Sequence, residues 1–450
     1  MLQRLLGIQP NERKSMLLFA LLGFSWSIAS SSCASVSDIL FLKNVGSESL
    51  AETFLYTALG MFFMSWIFLY LYNRFEINKI FRTSLILGMI IFGTIISLIL
   101  LGVNAKPLWI IFKVFVYVFQ IAYLSQYFTF LDQFFELQNA KRVFSILYSP
   151  IFLGMCVAGA VLSFCFTSVG LFGFLILILF ALGSSLFLLR YISNNVPRIP
   201  DDHQEFAVIK TSKKALFKAI ITSPFTLLFV AACILLHSLL VLTEYHYMMG
   251  LEYTFSNSDP EDLSKCLGNL YFWGSLINIL FGLCIYGRIV KKIGLNNVIL
   301  IVPLFFTTLF SGWLFSSHIF LPIMGFIAVE GLLALLEDNN FNLLLNAVPL
   351  KLKNKIRVTC ESFFEPVGVF TSSMLLLFFK SYGKWIGLFF SVAFLVITTM
   401  MRAYYTKGIF YNLISHLIPF GQNKLDLKSK VSKKEYSQSR DQFLSKFYEM

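Results

Sequence analysis

The chain is written in long apolar runs separated by short polar breaks. Six runs lie near residues 15–42, 49–72, 81–103, 107–131, 143–167 and 169–192, and six more near 222–250, 266–290, 294–317, 319–348, 358–380 and 383–408. An α-helix crossing a hydrocarbon core needs roughly 20 mostly apolar residues, and every run meets that length. The pattern therefore predicts twelve transmembrane helices. Between the two sets, a polar stretch with Pro197, Pro200, Asp201, Asp202, Lys210, Lys213 and Lys214 reads as a connecting segment. The expected organisation is an N-terminal six-helix bundle over 1–192, a cytoplasmic linker over 193–221, a C-terminal six-helix bundle over 222–408 and a basic cytoplasmic tail over 409–450. Lys14, the run Leu17 to Ile28 and the small residues Ser30 to Ser35 imitate a secretory signal. Eleven further runs favour reading this segment as the first span.

Composition removes the soluble alternative. Apolar residues make up 57% of the 450 positions and charged residues 13%, where soluble domains carry about a quarter charged. The seven cysteines are odd in number and fall mostly inside apolar runs, which points to core packing and away from a disulfide framework or a metal site. A formal charge of +12 raises the question of nucleic acid, but the basic residues are dispersed through short loops and the tail. Their parity explains them instead. With the N-terminus inside, one side of the membrane holds only Lys43, Lys106, Lys265, Lys380 and Lys384, with Lys113 inside a span, and every other Lys and Arg falls on the cytoplasmic side. The polar tail from about Gly421 is expected to sit near anionic headgroups.

A weak internal repeat supports two related halves. Lys141-Arg142-Val143 precedes Pro150 and Gly154 at the start of the fifth span, and Lys355-Ile356-Arg357-Val358 precedes Pro366 and Gly368 at the start of the eleventh. With the count of six and six and the central linker, this predicts an all-α membrane protein of major facilitator type, with a substrate site between the halves near mid-membrane.

Several short motifs carry a further likeness. Ala140-Lys141-Arg142-Val143-Phe144, eight residues after Asp132, resembles the A-K-R-F-Y signature of the ATP/ADP translocases of intracellular bacteria and plastids. Asp38-Ile39-Leu40 followed by Gly46 and Glu48, the intramembrane Glu244, Pro260 to Gly268 followed by Gly274, and Ala347-Val348-Pro349-Leu350 followed by Lys355 are similar to that family's motifs in the same order. The chain thus resembles a divergent member of the family. The resemblance implies nucleotide exchange or import of another phosphorylated metabolite, in the inner membrane of a bacterium. It also departs from the family at its cations: Ala34, Ser37, Met248 and Val369 stand where basic residues are expected. A polyanionic substrate needs fixed positive charge.

Ionisable residues inside apolar runs are candidate functional groups, because charge at membrane depth is costly. Asp38, Lys113, Glu244, Glu330 and Glu365 are the candidates for solute binding. Lys113 either faces a cavity or snorkels to the headgroups. Glu330 and Glu337 share one helix face at a spacing of seven, as do Glu361 and Glu365 at a spacing of four. Glu361 is also four residues from Arg357, which predicts an ion pair at the cytoplasmic mouth. Glu365 precedes Pro366, which bends the helix and frees a carbonyl. Lys141, Arg142, Arg288, Arg357 and Glu361 form the expected cytoplasmic gate, with the loop Gly287 to Gly294 shaped like the facilitator gating loop.

These residues leave three classes of reading. The first is a secondary transporter moving a small solute, with nucleotide as the substrate the resemblance implies. The second is a proton-coupled carrier of a non-nucleotide solute, because a carboxylate in a low-dielectric cavity can carry a proton. The third is a membrane scaffold that does not transport. The sequence holds no GxxxxGK[ST], HExxH or GxSxG, so no enzyme, cofactor or bound metal is expected. The expected partners are the solute and the lipid bilayer, with no nucleic acid and a monomeric state.

Overall fold

A computed structural model describes residues 13–417 apart from 73, 104, 132, 136, 198–219, 256–259, 282–284 and 349. The described residues contain helices and no strand. Helices α1 (Arg13–Asn44), α2 (Leu50–Tyr72), α3 (Ile77–Leu100) and α4 (Lys106–Leu131) match the first four runs. The fifth and sixth runs form one continuous element, α5 (Leu137–Asn195), broken at Gly170, whose φ of 63° only glycine adopts readily. After the central segment come α6 (Pro224–Phe255), α7 (Pro260–Leu280), α8 (Tyr286–Ile293), α9 (Leu295–Val298) and α10 (Ile301–Phe315). Next are α11 (Phe320–Phe326), α12 (Asp338–Leu344), α13 (Leu350–Thr359), α14 (Glu365–Phe378) and α15 (Gly383–Leu417).

Nine helices among the described residues are long and apolar enough to cross a membrane. The eighth, tenth and eleventh runs are not among them. The eighth run falls on α7 and α8, and residues 282–284 between them lie outside the described residues. A π-helical segment, Ile327–Glu337, joins α11 to α12, and a π turn, Cys360–Phe364, precedes α14. Wide turns of this kind leave backbone groups that need partners, and Asn278 on α7 supplies one by donating to the Glu330 carbonyl at 3.0 Å. Helix also runs through two expected boundaries. The backbone of α5 continues to Asn195, inside the expected linker, and α15 continues to Leu417, past residue 408. Most of the linker and residues 418–450 of the tail lie outside the described residues.

The outward faces are apolar. On α3, buried Ile80, Phe81, Leu85, Gly88 and Phe92 recur at helical spacing, while Leu87 and Ile90 on the other side are exposed. Phe63, Trp66, Phe180, Phe315 and Phe389 are likewise exposed. An apolar exterior of this extent suits lipid and not water.

Close helix approach inside the bundle depends on small residues. Gly154 on α5 lies against α1, where an added Cβ would come 2.5 Å from the Phe24 carbonyl oxygen, and Ser27 donates to the Ile151 carbonyl beside it. The same device recurs later in the chain. Gly368 on α14 lies against α6, where a Cβ would come 2.5 Å from the Ile234 carbonyl oxygen, and Ser238 donates to the Gly368 carbonyl at 2.9 Å. The two Pro-and-Gly helices that mark the sequence repeat therefore dock in the same way. Between them, α5 crosses α7 backbone to backbone: a Cβ on Gly159 would come 2.6 Å from Phe272 N, and one on Gly268 would come 2.5 Å from Ser163 N.

Candidate functional site

Three of the five candidate binding residues meet in the bundle interior. Lys113 on α4 donates to Asp38 Oδ1 on α1 and to Glu244 Oε1 on α6, the latter at 3.2 Å. Relative exposures of 3% for Asp38, 6% for Lys113 and 4% for Glu244 rule out snorkelling for the lysine and an outer-mouth position for the glutamate. The helices explain the meeting. The first helix carries seven buried serines and thereby comes close to its neighbours at the centre, so Asp38, on the face of Ser31 and Ser35, points inward. On α4, Trp109, Phe112, Lys113 and Val116 share the buried face.

Two carboxylates against one ammonium leave the cluster short of positive charge. Glu330 adds to the imbalance, since it lies close enough to interact electrostatically with Asp38, Lys113 and Glu244. On the same three helices, the hydroxyls of Ser31, Ser32, Ser37, Tyr123 and Thr243 are buried without a protein hydrogen-bond partner. Unpaired polar atoms at membrane depth are costly, so these groups suit contact with water or a polar solute.

Glu365, the fifth candidate, sits apart from the triad. Its Oε2 is 3.5 Å from Nε2 of His237 on α6, and Cys233 lies one turn away from that histidine. Nothing in the sequence pairs His237 with an acid, because the two residues belong to different helices. Among the gate residues, Arg357 donates to Glu361 Oε1 at 3.0 Å, the expected pair of a four-residue spacing. Arg288 is exposed on α8. Lys141 and Arg142 lie on the helical backbone of α5, and their side chains are outside the described residues, as are those of Glu337, Asp338 and Asn339.

A further contact joins the two halves at the end of the bundle away from the termini. Glu252, at the end of α6, accepts the Ser47 backbone N–H at 2.8 Å. Gly46, at φ 84°, turns the chain into that position. Sequence reading missed Glu252 because it looks like an ordinary solvated acid at a helix end. Ser163 on α5 also donates to Asn269 Oδ1 on α7 at 2.8 Å.

The fold has solved counterparts. It is similar to the nucleoside transporter NupG, with a TM-score of 0.57 at 14% identity over 87% of this chain and 98% of that one. It is similar to a bacterial homologue of the human lysosomal transporter Spinster in an inward-facing, unoccupied conformation, with a TM-score of 0.54 at 12% identity over 90% and 99%. A POT family transporter in complex with 5-aminolevulinic acid gives a TM-score of 0.62 at 10% identity over 88% and 96%. No family model matches the sequence, and no curated protein matches it. At these identities the likeness establishes the fold alone: an all-α, multi-pass membrane fold of major facilitator type.

Proposed function

We propose that the chain is a secondary transporter that moves a small solute by alternating access, coupled to protons at Asp38, Lys113 and Glu244. The observation that carries the reading is the buried Lys113, which ties α1 and α4 of the first half to α6 of the second. With both carboxylates ionised, the lysine bridges the halves. Protonation of Glu244, or arrival of a cationic group beside it, removes the attraction on one side and loosens that tie. Solute and proton occupancy would in this way bias which end of the bundle is closed. The contacts that cross the halves, at Ser47–Glu252 and Ser163–Asn269, support a conformation closed at the end away from the termini.

The charge balance bears on the substrate. Nucleotide exchange, which the family resemblance implies, requires cations free to meet phosphate. Lys113 is already shared between two acids, so the site favours a neutral or cationic solute. Lys141, Arg142, Arg288, Arg357 and Glu361 serve the inner gate in this reading, the halves divide at 193–221, and the protein works as a monomer in a bacterial inner membrane with both termini cytoplasmic.

Uptake of labelled ATP, ADP, nucleosides and a panel of cationic and neutral solutes into expressing cells, with and without an imposed proton gradient, tests the proposal. Gradient-driven uptake of a non-nucleotide, abolished by Glu244→Gln, is the expected result. Gradient-independent exchange of ATP for ADP, lost in Lys113→Ala, would overturn the proton-coupled reading and return the site to nucleotides.

A further inference from the structure

A second cluster lies away from the triad, where α6 crosses α14. Cys233 and His237 are four residues apart and therefore share one face of α6. Glu365 faces them from the first turn of α14, directly after the π turn Cys360–Phe364. Cys233 Sγ, an imidazole nitrogen of His237 and a carboxylate oxygen of Glu365 all lie within 4.8 Å of one another. The crossing holds them there: a Cβ on Gly368 would come 3.0 Å from His237 Cβ, so only glycine lets the helices approach this closely.

The imidazole is oriented for metal ligation. His237 Nδ1 lies 3.0 Å from the Cys233 carbonyl oxygen, and a carbonyl only accepts, so Nδ1 carries the proton. In the neutral ring this leaves the lone pair on Nε2, pointing at Glu365 Oε2 from 3.5 Å. A proton on Nε2 or on the Glu365 carboxyl, or a metal cation held between them, satisfies both groups. A backbone bond that fixes the tautomer of a ligating histidine is the usual outer support of a metal site. Donors on a tetrahedral zinc, with bonds of about 2.0–2.3 Å, lie about 3.5 Å apart, so rotation of Cys233 Sγ, which lies 3.9 Å from Nδ1, toward Nε2 and Glu365 would close the site.

We propose that Cys233, His237 and Glu365 bind a divalent transition metal of the zinc class, linking α6 to α14. A thiolate, an imidazole and a carboxylate form a donor set of intermediate softness, which suits zinc or cobalt and not magnesium or calcium. Three protein ligands leave one position of a tetrahedral ion open. The site is independent of the transport reading, since it needs only these side chains.

Titration of the purified full-length protein with Co²⁺ tests it. The expected result is one equivalent bound, with a thiolate-to-cobalt charge-transfer band that zinc displaces and magnesium does not. Cys233→Ser should abolish the band, His237→Ala and Glu365→Gln should each weaken binding at least tenfold, and Cys156→Ser, distant on α5, should leave it intact. Absence of the band, or its persistence in Cys233→Ser, would overturn the proposal. X-ray absorption of the zinc-loaded unsubstituted protein gives an answer free of folding effects: a shell with one or more sulfurs is expected, and a shell without sulfur refutes the site.

Discussion

Lys113 Nζ and Glu244 Oε1 lie 3.2 Å apart although the residues are separated by 131 positions and by the central segment of the chain. Removing the lysine leaves Asp38 and Glu244 buried without their cation. Breaking a buried pair in this way costs about 3–5 kcal/mol. Lys113→Ala should therefore lower the thermal unfolding temperature in detergent, and Asp38→Asn in the same background should recover part of the loss. Unchanged stability in Lys113→Ala would show that the triad is not structural.

Glu244→Gln poses a gentler question. It keeps a Lys113–Asp38 pair of balanced charge and nearly the same side-chain volume, so insertion and unfolding temperature should stay close to those of the parent. Gradient-driven accumulation should be lost, and the downhill uptake that remains should no longer depend on external pH. In the parent, a proton taken from outside drives entry, so the rate should rise as external pH falls. A variant that still follows external pH would place the coupling proton elsewhere, with Glu330 the next residue to test.

The packing at Gly368 makes a steric prediction. Any side chain there meets the Ile234 carbonyl oxygen, a backbone atom that cannot rotate away. Gly368→Val should destabilise the protein by about 1–3 kcal/mol, the usual range for overpacking. Denaturant melts of the purified protein check this, with Gly93→Val, where a Cβ meets nothing within 4 Å, as the control.

The contact between Glu252 and the Ser47 amide is charge-assisted, a class of bond with a net contribution of about 1.5–3 kcal/mol. Glu252→Ala should raise hydrogen exchange at the Ser47 amide by roughly ten- to a hundred-fold. Mass-spectrometric exchange on peptides covering the α1–α2 turn reads the change. Equal exchange in the two proteins would mean that the turn is held by other contacts.

Local features were legible in the sequence and meetings between distant helices were not. The runs predict the helices because burial in lipid acts on each segment separately, and the Arg357–Glu361 pair follows from one turn of helix. Each member of the triad stands out as an ionisable residue in an apolar run, yet their convergence depends on how α1, α4 and α6 rotate about their axes. That rotation is set by serines and glycines with weak individual signatures. Cys233 and His237 carry the four-residue spacing of paired ligands, a signal masked because cysteine and histidine in an apolar run ordinarily pack as core. Their partner Glu365 lies on another helix, behind a π turn that shifts the register and that apolar patterning does not reveal. The π segments of the tenth and eleventh runs contain the visible acids Glu330 and Glu361, but whether a run bends or simply continues depends on which neighbour satisfies its backbone, as Asn278 does for Glu330.

The glycine crossing of α5 and α7 has a mechanical consequence. Where side chains interlock, turning one helix on another must first pull knobs out of holes, and the movement meets a steep barrier. At Gly159 and Gly268 there is nothing to pull out, and smooth backbone bears directly on smooth backbone. A joint of this kind behaves as a bearing: it fixes the distance between the two bodies and leaves the angle between them cheap to change. Larger residues at either position would turn the bearing into a lock.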